Sequence, residues 1–114
     1  MSDRVSGPDA EERVARELER RGFRILARNF RSRFGEIDLI AQRGHDLHFV
    51  EVRARATARF LHPAVSVDAR KQGRIRRTAE VFLARRGAPR PAQVFFDVAA
   101  IVGDELEYLQ GAFE

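Results

Sequence analysis

Glu36, Asp38, Glu51 and Arg53 lie in two short segments, GEIDLIAQ (35–42) and LHFVEVRA (47–54), and are residue types from which phosphoryl chemistry is built. Both segments are rich in β-branched and large apolar residues and are separated by Arg43-Gly44-His45-Asp46, so they read as the two strands of a hairpin. With those four residues as the loop, Gln42 faces Leu47, Asp38 faces Glu51 and Glu36 faces Arg53. Side chains two apart share a face. Glu36, Asp38, Glu51 and Arg53 then lie with Ile40, Leu47 and Phe49 on one side, and Ile37, Leu39, Val50 and Val52 on the other. A slip of one residue in register would separate the two acids.

Two ionised carboxylates directly across a strand pair stand ~5 Å apart at Cβ and repel by roughly 3 kcal/mol at an effective dielectric of about 20. A hard dication such as Mg²⁺ offsets that cost: it takes one or two carboxylates and completes its shell with water and phosphate oxygens, and the Val52 carbonyl would add a ligand. Alternatively, Arg53, Glu36 and nearby arginines neutralise the pair as a solvated ion-pair patch. Spacing alone leaves both readings open. Zinc fits poorly, because there is no cysteine, His45 sits in the turn, His48 alternates away from both acids, and the three histidines read as surface or packing residues. There is no Gly-rich phosphate loop, GxSxG elbow or HExxH motif.

The elements that hold this hairpin follow from period and punctuation. Pro8 with Asp9, Glu11 and Glu12 marks a helix start after a loose lead-in of residues 1–7, and Ala10, Val14, Ala15 and Leu18 form its buried stripe up to Gly22. Residues 23–28 read as a strand before the hairpin. A second helix runs from Val67-Asp68 to Arg86, with Ile75, Ala79, Phe82 and Leu83 on one face and Gly87 closing it. QVFFDVAAIV (93–102) reads as a strand buried on both faces and LEYLQ (106–110) as an edge strand. Asp97 inside that apolar strand must either pair with a buried Arg or lie near the site, since an isolated carboxylate there is costly. The expectation is one α/β domain over residues 8–114, with a mixed central sheet flanked by helices in the order α-β-β-β-α-β-β.

The chain has 114 residues and a formal net charge of +4, and all but one of its 21 basic residues are Arg, the exception being Lys71. Bunched arginines suit a polyanionic partner. Arg28, Arg31, Arg33 and Arg55 lie closest in sequence to the acidic hairpin, and Gln72 and Arg74 on the second helix are placed for phosphate contact without base readout. No apolar stretch approaches the ~20 residues that span a bilayer, and the N-terminus lacks an apolar run, so no membrane and a cytoplasmic location are the default expectations.

An acid, a dozen residues, then an acid followed two positions later by a base resembles the PD-(D/E)xK nuclease pattern. More closely, the chain is similar to the small bacterial UPF0102 family, also called the YraN family, relatives in fold of archaeal Holliday junction resolvases. The likeness runs through Gly7, Glu11, Ala15 and Leu18; Gly22, Ile25, Leu26, Arg28 and Asn29; GEIDLIA (35–41); FVEVR with Arg55; Val67 with Lys71; FDV (96–98); and GAF (111–113). The resemblance implies a restriction-endonuclease-like fold, Asp38 and Glu51 as ligands of Mg²⁺ or Mn²⁺, and Glu11 as an outer acid of the site. It further implies hydrolysis of phosphodiester bonds in branched or single-stranded DNA. Arg53 stands where the pattern has Lys and cannot deprotonate at ordinary pH, so it suits charge stabilisation rather than base chemistry. Lys71 is then the candidate to supply the missing ammonium. The competing expectation is a non-catalytic nucleic-acid or protein interaction module that keeps the fold. The oligomeric state stays open, a homodimer included.

Overall fold

The computed structural model describes residues 7–55 and 67–114. Helix α1 (Gly7–Arg20) buries Ala10, Val14, Ala15 and Leu18, while Arg16–Glu12 and Arg21–Glu17 ion pairs line its outer face. Strands β1 (Arg24–Ser32), β2 (Gly35–Arg43) and β3 (Asp46–Arg55) follow, then helix α2 (Ala69–Arg86) and strands β4 (Gln93–Val102) and β5 (Glu105–Phe113). The five strands lie side by side in chain order. Only β3 and β4 run parallel, the pairing that needs the α2 crossover; the other neighbours are antiparallel.

Each sheet face carries its own core. The α1 stripe packs on Leu39, Ala41, Val50, Ala99 and Ile101, whereas Ile75 and Ala79 of α2 pack on Ile40, Leu47, Phe49 and Val98. The result is an α/β domain with a mixed sheet flanked by helices, in the expected element order and consistent with a restriction-endonuclease-like fold. Among the described residues, no helix is long and apolar enough to cross a membrane.

Several boundaries differ from the sequence pattern. Helix α1 starts at Gly7 rather than Pro8; the rest of the expected lead-in, and His62, lie outside the described residues. The hairpin register is the expected one, but Arg43 pairs with Asp46, so the turn holds two residues instead of four. Strand β1 continues past Arg28 to Ser32, because pairing with β2 reaches Ser32↔Gly35 and the Ser32 hydroxyl bonds Thr78 of α2 at 2.8 Å.

Strand β5 extends beyond Gln110 through a bulge. The ladder with β4 jumps from Val98↔Leu109 to Phe96↔Phe113, leaving Gln110, Gly111 and Ala112 opposite Asp97. Gly111 turns the chain at φ 66°, and its N–H donates to Asp97 Oδ1 at 2.9 Å. The other Asp97 oxygen accepts from the Tyr108 hydroxyl and sits 2.7 Å from His48 Nδ1. Among the described residues Asp97 is therefore held by His48 on β3 and not by an Arg, and it faces the α1 side, away from the face that carries Glu51. The histidine ring fits there by stacking on Phe95 and meeting Phe23 edge-on.

Helix α2 approaches β2 closely at Gly35. A Cβ at Gly35 would stand 3.3 Å from Arg74 Cβ and 3.8 Å from the Thr78 hydroxyl. Gly35→Ala is expected to push this turn of α2 outward and cost ~1–2 kcal/mol, read as a melting temperature lower by roughly 4–10 °C. An unchanged melting curve would contradict the close approach.

Candidate metal and phosphate site

The acids stand where the sheet comes apart. Pairing between β2 and β3 runs from Arg43↔Asp46 to Leu39↔Val50 and stops. One residue further on, the Val52 N–H donates to Asp38 Oδ2 at 2.8 Å, a side-chain acceptor in place of the next backbone rung. On the other side of β2, Asn29 lies opposite Asp38 and takes a left-handed φ of 51°, leaving that position out of the β1–β2 ladder. Strict alternation fails here as a consequence: Ile37 joins the cluster of Ile40, not that of Leu39. Asp38 and Glu51 thus flank an opening rather than forming a regular cross-strand pair.

Glu51 is buried on the α2 side, with its side chain only 7% exposed. Lys71 Nζ stands 2.6 Å from Glu51 Oε2, and Arg53 Nε 3.4 Å from the same oxygen. The first turn of α2 fixes Lys71: Asp68 caps the helix by accepting from the Lys71 N–H at 2.8 Å, and the Gln72 side-chain amide donates to the Val67 carbonyl at 2.8 Å. Two adjoining cavities meet at these groups. One of about 250 Å³ is lined by Gly35, Glu36, Arg74 and Ile75, the other of about 370 Å³ by Glu11, Val52, Arg53 and Ala54; Asp38, Glu51 and Lys71 line both.

Burial, and after it the charge of Glu51, push the Asp38 carboxyl up to about 7; the Val52 N–H opposes this, and Glu11 and Glu36 add smaller repulsions. Among the described residues no cation pairs with Asp38, whereas two approach Glu51. The donor set fits a hard ion that keeps much of its water: two carboxylates and a strand-end backbone. Among the described residues, no group of three or more His, Cys, Asp or Glu gathers at metal-binding distance, so Glu11 borders the site without completing an all-protein cage.

The remaining expected residues divide by face. Arg74 lines the smaller cavity, and Arg31 pairs with Glu36 on its rim at 3.3 Å. Arg33 lies against Phe34 in the adjoining turn. Arg28 belongs to the α1 flank, where it pairs with Glu12 at 2.6 Å. The Gln72 side chain is used within α2, accepting from Arg76 at 3.1 Å besides its bond to Val67. Arg55 ends β3, and its side chain lies outside the described residues. Sequence reasoning missed Gly35 and Phe34 as neighbours of the site; an aromatic residue beside a glycine in an arginine-rich turn was the available signal.

A profile described as "Uncharacterised protein family UPF0102" matches residues 10–101. A UPF0102 protein of Persephonella marina is 37% identical over 110 residues, covering 96% of this chain and 94% of that protein. One of Halorhodospira halophila is 44% identical over 110 residues, covering 96% and 88% respectively. One of Yersinia pseudotuberculosis is 45% identical over 114 residues, covering 99% and 97%.

Proposed function

This chain belongs to the UPF0102 family, and from that premise we propose that it binds nucleic acid and hydrolyses phosphodiester bonds in branched or single-stranded DNA, using Mg²⁺ or Mn²⁺ held by Asp38 and Glu51. The observation that carries this reading is the convergence of Asp38, Glu51 and Lys71 on two adjoining cavities. When bound, the ion supplies Lewis acidity toward the phosphodiester. The protein supplies position and charge. Asp38, fixed by the Val52 N–H, keeps its carboxylate turned into the opening. Lys71 brings an ammonium beside Glu51, the charge that Arg53 supplies only as a guanidinium that stays protonated at ordinary pH. Arg74 and Arg31 stand on the rim where non-bridging phosphate oxygens would lie.

Labelled branched and single-stranded DNA incubated with Mg²⁺ or Mn²⁺ tests the proposal. Cutting is expected with either ion and not in EDTA, and Lys71→Met is expected to lower the rate about 100-fold, the scale of one lost charge-stabilising donor. Cutting that survives EDTA, or an unchanged Lys71→Met rate, would contradict it. The non-catalytic module has its own supporting observation: both cations reach Glu51 Oε2, so the protein neutralises that acid by itself. That reading expects salt-sensitive binding with no turnover under any ion.

A further inference from the structure

Phe34 occupies the turn between β1 and β2 and belongs to neither core, unlike Phe30, Phe49, Phe82 and Phe96. The turn itself has no need of the ring. Its backbone is pinned by the Phe34 N–H, which donates to Ser32 Oγ at 3.0 Å, and by the Ser32–Thr78 hydroxyl bond to α2. Small polar residues and glycine are the usual occupants of such positions. The half-buried ring is instead dressed by cations: the guanidinium carbon of Arg33 lies 4.9 Å from its centroid and that of Arg77 5.6 Å. The next residue, Gly35, lines the cavity of Asp38 and Glu51, as does Arg74, about one helical turn before Arg77.

We propose that Phe34, with Arg33 and Arg77, is a stacking platform for an unpaired nucleobase on a strand whose backbone enters the cavity at Asp38 and Glu51. The substrate class is then a single-stranded or frayed nucleic acid, not an intact duplex. A base presents a π-face to an aromatic ring or a guanidinium plane only when it has left its own stack. The two guanidiniums add charge for the flanking phosphates. The assignment deepens the proposed nuclease function and rests on it for what the strand does there, though not for the stacking itself.

The chain contains no tryptophan, so Phe34→Trp places a single indole in the turn. Full-length Phe34→Trp would be titrated in EDTA with a single-stranded DNA oligonucleotide, an RNA oligonucleotide of the same sequence, and the blunt DNA duplex. Saturable quenching by the DNA or the RNA single strand, with none by the duplex, is the expected result. Phe34→Leu is expected to bind the single strand about tenfold more weakly at an unchanged melting temperature, with Phe34→Tyr restoring affinity. Equal quenching by duplex, binding without quenching, or wild-type affinity in Phe34→Leu would overturn the platform. Because EDTA precludes metal-dependent turnover, those results leave the cleavage reading standing. Absence of any single-strand binding by the wild type overturns the platform and confines the proposed cleavage to branched DNA.

Discussion

Asp38→Asn is expected to abolish ion-dependent cleavage and, in the same protein, to raise the melting temperature of the ion-free chain near pH 8. The loss of rate should be about 1,000-fold, equivalent to the several kcal/mol that a bound Lewis acid supplies. The gain in stability follows from the position of Asp38. Its carboxyl is raised from 3.8 to about 7, first by burial and then by Glu51. A group with a raised folded pKa contributes stability that is complete below its unfolded value and is lost as pH rises through the folded one. Asp38 thus favours the folded state below about pH 4 and no longer does so above about pH 7. Asn keeps an acceptor for the Val52 N–H without a charge to bury, so the variant escapes that loss. After discounting for partial exposure, a gain on the order of 1–2 kcal/mol near pH 8 is expected, shrinking to nothing near pH 4. Calorimetry across that range checks it; a variant less stable than wild type at every pH would contradict the electrostatic account.

Asp97→Ala should produce the largest loss of stability in the molecule. The carboxylate is fully buried and joins three strands, through His48 on β3 and through Tyr108 and Gly111 on β5. Removing it orphans a ring nitrogen, a phenol and the N–H of the bulge together. Burial, with the neighbouring carboxylate second, raises the Tyr108 phenol above its ordinary range, so it stays a donor in need of an acceptor. A loss of ~3–5 kcal/mol is expected, or roughly 10–25 °C in melting temperature. Asp97→Asn, which retains one acceptor oxygen, should fall between the two. Denaturant unfolding measures both, and a loss below ~1 kcal/mol for Asp97→Ala would show that the network is not a clasp.

This clasp also accounts for two of the motifs that carry the family likeness. FDV and GAF meet at the β4–β5 bulge, where Asp97 takes the Gly111 N–H and Phe96 stacks on Phe113 at 5.3 Å. Those residues build the sheet edge and stand apart from the acidic cavities.

The hairpin register was legible from loop length: a loop centred on Gly44 and His45 pairs Leu39 with Val50 and Ile40 with Phe49 whether it holds two residues or four. The opening beside it was not legible. It depends on one carboxylate capturing one backbone N–H and on a left-handed Asn29, events that leave no trace in hydrophobic period. Lys71 was visible as the lone lysine, yet its contact with Glu51 depends on where the Asp68 cap sets the first turn of α2. Asp97 stands out as an acid in an apolar strand, but a buried Arg and a place near the site are the two explanations the pattern offers, and neither points to His48. His48 looked like packing, and it is buried packing that also hydrogen-bonds the Asp97 carboxyl.

The central claim is that Asp38 and Glu51 together hold one hard divalent ion, and direct titration of Mn²⁺ monitored by its paramagnetic resonance tests it. One bound ion per chain is predicted for the wild type near pH 8, with affinity falling below about pH 7 as protons compete for Asp38, and with the site lost in Asp38→Asn. A wild type that binds no ion, or an Asp38→Asn protein that binds it equally well, would contradict the account.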